Sequence, residues 1–298
     1  MISAISVKDR IKNKAVSCSI SVNDLLQAYG LERTVYRISV SEFSDRFTLK
    51  GGIFLYALFD GEFARATRDI DLLAYSMSNN EDNMKKVFES ILETEVDDAL
   101  KYDLSTLKVK NITEFKKYHG VNISVMSYLD RTRIPISIDI GFNDIVYPER
   151  VEMEFPVLLD MEHPKIYAYS IYSVIAEKFE AIVSLGDANS RYKDFYDIYL
   201  IAENYELDGE ILKDAVRETF AHRNTTFNDI FAFKSAFINS PIHNSRWDVF
   251  LNKKKATVKV ELERVIVIIR GLLLPISGSA ISGKEFTSIW NNKDRAWQ

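Results

Sequence analysis

Two aspartates separated by one residue, Asp69 and Asp71, are the residues of this sequence best suited to chemistry. In an extended strand, side chains at positions i and i+2 point to the same side, so both carboxylates would stand together while Ile70 faces the core. Carboxylates that lie this close repel each other unless a cation lies between them. Mg²⁺ prefers oxygen ligands and commonly binds together with phosphate substrates. The pair therefore predicts a metal site.

A pair of glycines precedes the aspartates in the motif Lys50-Gly51-Gly52. Because glycine has no Cβ, the backbone N–H groups of this motif could approach a phosphate closely. Each motif also has an ordinary interpretation, since Asp-x-Asp occurs in solvated turns and helix caps and paired glycines mark turns. The order and spacing of the motifs, with Arg65 and Thr67 leading into the aspartates, favour phosphate and metal chemistry.

In these motifs the chain resembles the AbiEii/AbiGii toxin family of nucleotidyltransferases. These are toxins of type IV toxin–antitoxin and phage abortive-infection systems, and they are similar to the mycobacterial MenT toxins. The resemblance covers nearly the whole chain, and the segments that carry it are 7–13, 47–52, 65–71, 176–178, 191–198 and the tryptophans at 290 and 297.

The resemblance implies a Mg²⁺-dependent transfer of a nucleoside monophosphate from an NTP to an RNA hydroxyl. The expected acceptor is the tRNA 3′ end, whose modification would halt translation, and GTP or CTP is the expected donor. The family also implies an antitoxin that acts without forming a stable complex with the toxin.

A third aspartate, Asp139, lies in a run of clean alternation over 134–142. Four isoleucines share one face of this run, and Asp139 shares the other with Ser137 and Gly141. A lone aspartate on a strand commonly lies at a solvated edge, but the alternation here predicts a central strand. The family pattern has an acidic residue on such a strand, so the resemblance makes Asp139 the third member of a metal triad. It would act as a base for the attacking hydroxyl or as a metal ligand, and both roles remain open.

A lysine interrupts the apolar face of the helix predicted over about 170–185. Helical periodicity places Lys178 in the middle of the stripe formed by Val174, Ile175, Ile182 and Leu185. A lysine in this position is costly unless an anion meets it or its ammonium group reaches the edge of the face. By resemblance, Lys178 contacts the triphosphate of the nucleotide. Replacing it with Met is then expected to abolish transfer and leave the fold intact.

The next helix carries the opposite charge on its packing side, where Asp194 shares a face with Asp197 and Ile198. Asp194 also lies near the start of the helix, so capping is an alternative role. The resemblance makes Asp194 a catalytic residue and makes Arg191 and Lys193 phosphate or RNA contacts. The full set of expected nucleotide-binding residues is Lys50, Gly51, Gly52, Arg65, Thr67, Lys178, Arg191 and Lys193.

Periodicity also predicts the elements that must position these residues. Residues 1–45 are expected to be helical, with Ser21 and Asp24 resembling a capping box. A short buried helix is expected over 53–59 and a longer one near 83–100. The runs that favour strands are 105–110, 121–128 and 134–142. From about residue 165 onward the pattern predicts helices and no further strand.

These elements predict an α+β fold, with a nucleotidyltransferase-like mixed sheet flanked by helices. The expected domains are an N-terminal helical segment at 1–45, the sheet domain at 46–160 and a C-terminal helical domain at 161–298. The stretch 148–164 contains three prolines and marks the boundary before the last domain. The NTP is expected in the cleft between the sheet domain and the C-terminal domain.

Composition is that of a soluble globular protein, with 47% hydrophobic and 27% charged residues in a chain of 298. The single cysteine, Cys18, excludes an internal disulfide framework and a cysteine-based zinc site. The N-terminus has no signal-peptide pattern, and the longest apolar run, 265–276, is too short to span a bilayer. We therefore expect a cytoplasmic protein without a membrane partner.

The net charge of −5 argues against a surface that binds nucleic acid over its whole extent, but it allows a local basic patch. Candidate patches contain the lysines and arginine within 8–14, Lys108 and Lys110 with Lys116 and Lys117, and the lysines at 253–255, and each is also an ordinary solvated face. The alternative functions are transfer onto a protein or small-molecule hydroxyl and a non-catalytic nucleotide- or RNA-binding module. The paired carboxylates argue against the module, which has no need for them.

Overall fold

A computed structural model describes residues 2–62, 67–114, 118–227 and 229–298. The chain divides into two compact units, and it passes from one to the other three times. The first, here called the sheet unit, comprises Met1–Asp144 and Val151–Ala168, and the second, the helical unit, comprises Ile145–Arg150 and Tyr169–Gln298. The division into segments 1–45, 46–160 and 161–298 stays a prediction.

The sheet unit contains four helices and seven strands among its described residues. The helices are α1 (Ala4–Cys18), α2 (Val22–Val40), α3 (Gly51–Leu58) and α4 (Glu81–Glu93). The strands are β1 (Phe47–Lys50), β2 (Ile70–Ala74), β3 (Leu100–Glu114), β4 (Tyr118–Leu129), β5 (Thr132–Phe142), β6 (Val151–Glu154) and β7 (Lys165–Ala168). The α+β fold class predicted from the sequence is confirmed.

The strands form one mixed sheet in the order β3-β4-β5-β2-β1-β7-β6. Strands β2 and β5 are parallel neighbours, whereas β1 pairs antiparallel with β2. The face that includes Leu49, Ile70 and Ile138 is fully buried. As the alternation predicts, Asp139 lies on the opposite face of a central strand.

Local sequence explains the helix ends in this unit. Ser21 caps α2 by accepting a hydrogen bond from the backbone N–H of Asp24, as the capping pattern predicts. The helix expected near 83–100 ends earlier, at Glu93, so the predicted end was wrong. The buried Asp98 accepts hydrogen bonds from Arg37 and from the backbone N–H of Leu100, and these contacts start strand β3 instead.

The helical unit contains α5 (Ile171–Leu185), α6 (Tyr192–Asn204), α7 (Gly209–Arg223), α8 (Ser235–Ile238), α9 (Pro241–Lys253) and α10 (Leu262–Ser282). It also contains a small sheet of β8 (Leu207–Asp208), β9 (Ile289–Asn291) and β10 (Ala296–Trp297). The expectation of no strand beyond about residue 165 was therefore wrong, for this sheet and for β7. Strands of two to four residues are too short to show a period of two.

Helix α10 is, among the described residues, the one helix long and apolar enough to cross a membrane. Half of its most apolar stretch is buried inside the protein, and core helices of soluble proteins can have the same length and composition. No membrane protein is indicated.

Candidate active site

Three aspartates meet on the half-buried face of the sheet. Asp69 immediately precedes β2, Asp71 lies within β2, and Asp139 is the register partner of Asp71 on the parallel strand β5. One carboxylate oxygen from each residue lies within 4.8 Å of the other two. Because Ile70 fills the core behind the sheet, the two aspartates that flank it in sequence are held on the opposite side. We call these three residues the acidic triad.

The triad fits a hard divalent cation. Three carboxylates at this separation repel one another, and a cation coordinated by their oxygens removes that repulsion. Mg²⁺ takes oxygen ligands, and these three carboxylates are the residues that would hold it. The residues present therefore fit a Mg²⁺ site.

The paired glycines lie at the junction of β1 and α3, directly against the triad. Gly51 has φ of +65°, and a Cβ at this position would lie 1.9 Å from Oδ2 of Asp71. The backbone N–H of Gly52 donates to the same oxygen at 3.3 Å. The first turn of α3 therefore directs N–H groups and the positive end of its dipole toward Asp71. Only glycine at position 51 leaves room for the Asp71 carboxylate. The group that approaches this glycine closely is therefore a carboxylate, whereas the sequence predicted a phosphate there.

Lys50 is the register partner of Asp71 on the other side, across the antiparallel pair of β1 and β2. Its Nζ lies 2.7 Å from Oδ2 of Asp144, and both side chains are mostly buried. Gly141 lies beside this ion pair, since a Cβ there would be in ordinary van der Waals contact with the Asp144 carboxylate at 3.5 Å. The sequence does not predict Asp144 as a site residue, and its only signal there is an Asn-Asp pair just after β5.

Asn122 extends the same row of side chains to strand β4. It is the register partner of Asp139, and its Nδ2 donates to Oδ1 of Asp139 at 2.6 Å and to Oγ of Ser137 at 3.0 Å. Lys50, Asp71, Asp139 and Asn122 thus form a polar row across four adjacent strands. Asn122 was not predicted as a site residue, although it stands between the buried residues Val121 and Ile123 as the polar member of an alternating run.

Thr67 and the backbone of Arg68 hold the remaining member of the triad. Thr67 Oγ1 donates to Oδ1 of Asp69 at 3.2 Å, and the N–H of Arg68 donates to the same oxygen at 3.3 Å. Arg65, an expected nucleotide contact, lies outside the described residues, as do Lys116 and Lys117 of one basic cluster. In this structure Thr67 contacts a triad carboxylate.

The charged residues of the helical unit form a second group. Lys178 on α5 donates from Nζ to Oδ1 of Asp194 at 3.0 Å and to Oδ2 of Asp197 at 2.6 Å, and both aspartates lie on α6. Arg191 Nε donates to Oδ2 of Asp194 at 2.7 Å. We call these four residues the buried ion cluster. The anions that pair with Lys178 are therefore protein carboxylates. From the sequence, the expected anion was a phosphate of the nucleotide.

The carboxylate of Asp194 is stabilised in its charged form. It lies in the first turn of α6, but its oxygens meet Lys178 and Arg191. Burial by itself would raise the pKa of Asp194, yet the positive charges of Lys178, Arg191 and Lys193 hold that pKa below its usual range. Asp194 is therefore ionised at neutral pH, and it fixes the lysine ammonium between two helices.

Sequence and structure comparisons give a family and a fold. The profile of the family described as "Nucleotidyl transferase AbiEii toxin, Type IV TA system" matches residues 33–261. No curated protein matches the chain.

Two solved structures resemble this one. A candidate nucleotidyltransferase from H. pylori is 12% identical, with a TM-score of 0.51 over 90% of this chain and 100% of that chain. JHP933 from Helicobacter pylori is also 12% identical, with a TM-score of 0.49 over 88% of this chain and 95% of that chain. At this identity the first resemblance shows a shared fold.

Proposed function

The chain belongs to the AbiEii family of nucleotidyl transferase toxins of type IV toxin–antitoxin systems, and from that premise we propose a Mg²⁺-dependent transfer of a nucleoside monophosphate from an NTP to an RNA hydroxyl. The proposed acceptor is the tRNA 3′ end, with GTP or CTP as donor. The observation that carries the proposal is the acidic triad, whose oxygens lie within 4.8 Å of one another.

The proposed reaction forms one bond and breaks one. The acceptor hydroxyl oxygen attacks the α-phosphorus of the NTP, and the bond from this phosphorus to the bridging oxygen breaks, so that pyrophosphate leaves with the electron pair. Bound Mg²⁺ would neutralise the triphosphate and the charge that develops on the leaving group. Asp69 and Asp71 would hold the metal, and Asp139 would either complete its ligands or accept the hydroxyl proton. In either role, the hydrogen bond from Asn122 to Oδ1 would help to fix the orientation of the Asp139 carboxylate.

The groups that we propose to contact the triphosphate lie near the triad. Lys50 lies on β1, next to the strand β2 that carries Asp71. The N-terminus of α3, at Gly51 and Gly52, faces Asp71. In the proposal these groups contact the β- and γ-phosphates, and Arg65 and Thr67 contribute from the preceding segment. Helix N-termini and exposed N–H groups are well suited to bind phosphate.

The helical unit has a proposed role that rests on family membership. Lys178, Arg191 and Lys193 are proposed phosphate or RNA contacts, and Asp194 holds Lys178 and Arg191 in place. The structure offers an equally specific structural role, since Lys178 joins α5 to α6 through two buried carboxylates. The two roles predict different results when charged residues of the cluster are replaced by neutral ones. A structural role predicts that the folded variant keeps its activity, and a nucleotide contact predicts that it loses it.

The second candidate function is transfer onto a protein or small-molecule hydroxyl, which the net charge of −5 favours over a nucleic-acid acceptor. The family also supports the proposal that an antitoxin acts without a stable complex and that the toxin works in the cytoplasm.

One assay separates the acceptors. Purified protein and Mg²⁺ are incubated with each NTP labelled at the α-phosphate, together with total tRNA, total protein or no acceptor. We expect label on RNA that is lost in Asp71→Asn and kept in Asp160→Asn, which removes an exposed carboxylate of the same unit. Label on protein alone supports the second candidate, and no label on any acceptor with any NTP contradicts both.

A further inference from the structure

Strands β3, β4 and β5 have one face covered by helices and one face open to solvent. Helices α2 and α4 cover the core face, where Arg37 lies over the ring of Tyr102 and Phe88 packs against Phe47. The other face, which also carries the acidic triad, is here called the open face. Beyond the triad its principal side chains are exposed or half-buried, and they are Lys101, Lys108, Lys110, Tyr128 and Arg133.

Strand register continues the polar row of the site onto β3. Lys110 is the register partner of Asn122, which pairs in turn with Asp139. Because neighbouring strands lie about 4.8 Å apart, the backbone of Lys110 lies about 10 Å from that of Asp139. Lys108 projects from the same side of β3, about 7 Å further along the strand. The row therefore leads from the triad carboxylates to two exposed lysines.

The end of the open face that lies away from the triad is also basic. Lys101 of β3 and Arg133 of β5 are both register partners of Tyr128, so the tyrosine lies between two exposed cations. Six positions along β5 separate Arg133 from Asp139, a distance of about 20 Å. The open face thus places an aromatic ring and basic side chains along a path that ends at the triad.

Outside the triad, the open face carries an excess of positive charge. On the described rows from Lys101 to Lys110, four cations accompany one carboxylate, that of Asp103, which accepts hydrogen bonds from the N–H and the hydroxyl group of Ser105. In the described part of the chain, no ion pair joins any of the four cations to another residue. In a protein whose net charge is −5, such a local group of cations fits an anionic partner.

We propose that the open face binds the single-stranded 3′ end of the RNA acceptor and guides its terminal hydroxyl to the triad, an inference that rests on the proposed function. Lys108 and Lys110 contact the phosphates nearest the triad, and Lys101 and Arg133 contact phosphates further from the 3′ end. A base stacks on Tyr128, as bases stack on aromatic side chains of the open sheet in RNA-recognition modules. An acidic protein would use the cations but would not require the ring.

RNA binding without NTP tests the basic part of the face. The anisotropy of a fluorescein-labelled single-stranded RNA of about 12 nucleotides is measured with the full chain at several salt concentrations. Lys108→Gln with Lys110→Gln should raise the Kd at least about tenfold at 0.1 M salt. It should also lower the log–log salt slope by about 1.4, because two phosphate contacts worth about 0.7 each are lost.

Two exposed lysines on α4 provide the matched control, since that helix covers the other face of the sheet. Lys85→Gln with Lys86→Gln removes the same charge, and its Kd should stay within about twofold of the wild-type value. Equal weakening by both double variants, or a wild type that does not bind the RNA, would overturn the proposal.

Stacking is tested separately at Tyr128. Tyr128→Leu should raise the Kd at least about fivefold with an unchanged salt slope, whereas Tyr128→Phe should bind as the wild type does. A Tyr128→Leu variant with wild-type affinity would contradict the proposed path. Poly-glutamate that binds the chain through Lys108 and Lys110, while the RNA does not bind, would assign the face to an acidic protein and overturn the proposal.

The binding surface and the proposed reaction fail in different ways. Asp71→Asn should lose transfer and bind the RNA at least as tightly as the wild type, because it removes a negative charge next to the acceptor. Wild-type protein that binds RNA through Lys108 and Lys110 but transfers nothing would remove the reaction and leave the surface. Transfer to RNA with an unchanged KM in the double lysine variant would leave the reaction and overturn the surface.

Discussion

The acidic triad and the buried ion cluster place aspartates in two different surroundings. The described contacts of the triad carboxylates include the Gly52 N–H, the Asn122 amide and the Thr67 hydroxyl as donors. The cluster carboxylates are paired with the cations Lys178 and Arg191, so the cluster contains its own positive charge. The triad, in which three carboxylates lie within 4.8 Å of one another, is the group that we propose to bind a metal ion.

Burial separates the two groups in the same way. All three triad residues are half-buried, whereas the side chains of Asp194 and Asp197 are 1% exposed. A half-buried group of carboxylates can exchange ligands with solvent. A fully buried one must be neutral as a set, and its integrity affects the stability of the fold more directly than it affects turnover.

The largest expected effect is on the buried ion cluster. Lys178→Met leaves Asp194 and Asp197 buried beside one partly exposed arginine, so we expect the free energy of unfolding to fall by about 3–5 kcal/mol. This differs from the sequence-based expectation of an intact fold, because the lysine's partners are carboxylates of the next helix. Urea unfolding measures the loss.

A neutral version of the cluster separates stability from function. Lys178→Met with Asp194→Asn and Asp197→Asn removes the uncompensated charge, and the unfolding free energy should recover by at least half. If this folded variant transfers nucleotide normally, the cluster is structural. If it is folded and inactive, the proposed contact of Lys178 with the nucleotide is supported.

Gly51→Ala tests how closely the α3 turn supports the triad. The added Cβ would overlap the Asp71 carboxylate and also impose a side chain at φ of +65°, so we expect at least a hundredfold loss of transfer and about 2 kcal/mol of stability. Gly283 also has φ of +65°, but a Cβ there would meet no atom within 4 Å. Gly283→Ala therefore measures the effect of backbone strain alone. Equal losses of transfer in both variants would show that contact with Asp71 is unimportant.

Glu32 on α2 is a buried carboxylate whose pKa is raised, in contrast to that of Asp194. It accepts a hydrogen bond from the Leu158 N–H and lies 2.9 Å from Arg33, and burial raises the pKa of Glu32 to about 7. A raised native pKa means that its contribution to stability is fully present below the unfolded value of about 4.5 and is lost as pH rises through about 7.

We therefore expect Glu32→Gln to flatten the pH dependence of unfolding between pH 5 and 8 by about 2 kcal/mol, with the gain in stability at the alkaline end. Urea unfolding at both pH values measures this, with the exposed Glu42→Gln as control. A slope unchanged from wild type would mean that Glu32 is ionised in the native protein, as Asp194 is.

The smallest expected effect concerns Asn122, a positioning residue that acts through Asp139. Asn122→Ala removes a donor that favours the charged carboxylate, so we expect transfer to fall about tenfold and the acidic limb of its pH profile to move to higher pH. Ser124→Ala, on the same strand face, should change neither. A tenfold loss without a shift of the pH profile would assign Asn122 a purely structural role.

The sequence predicted the sheet and the strands that carry the triad because alternation over β5 and the spacing of Asp69 and Asp71 are local signals. It also predicted the helix after Gly52 and the cap at Ser21. The partners of Lys178 could not be predicted, because they depend on how α5 packs against α6. Asn122 and Asp144 depend on strand register and on the path of the chain after β5, which no local pattern encodes. The site roles of these residues stay predictions.

The most direct test of the account is whether the acidic triad binds a divalent cation. Mn²⁺ can replace Mg²⁺ at oxygen sites and is detected by electron paramagnetic resonance, so binding is measured without knowing the acceptor. We predict that the wild type and Asp160→Asn bind Mn²⁺ alike and that Asp69→Asn with Asp71→Asn binds it at least tenfold more weakly. A double variant that binds Mn²⁺ as tightly as the wild type would contradict the central claim.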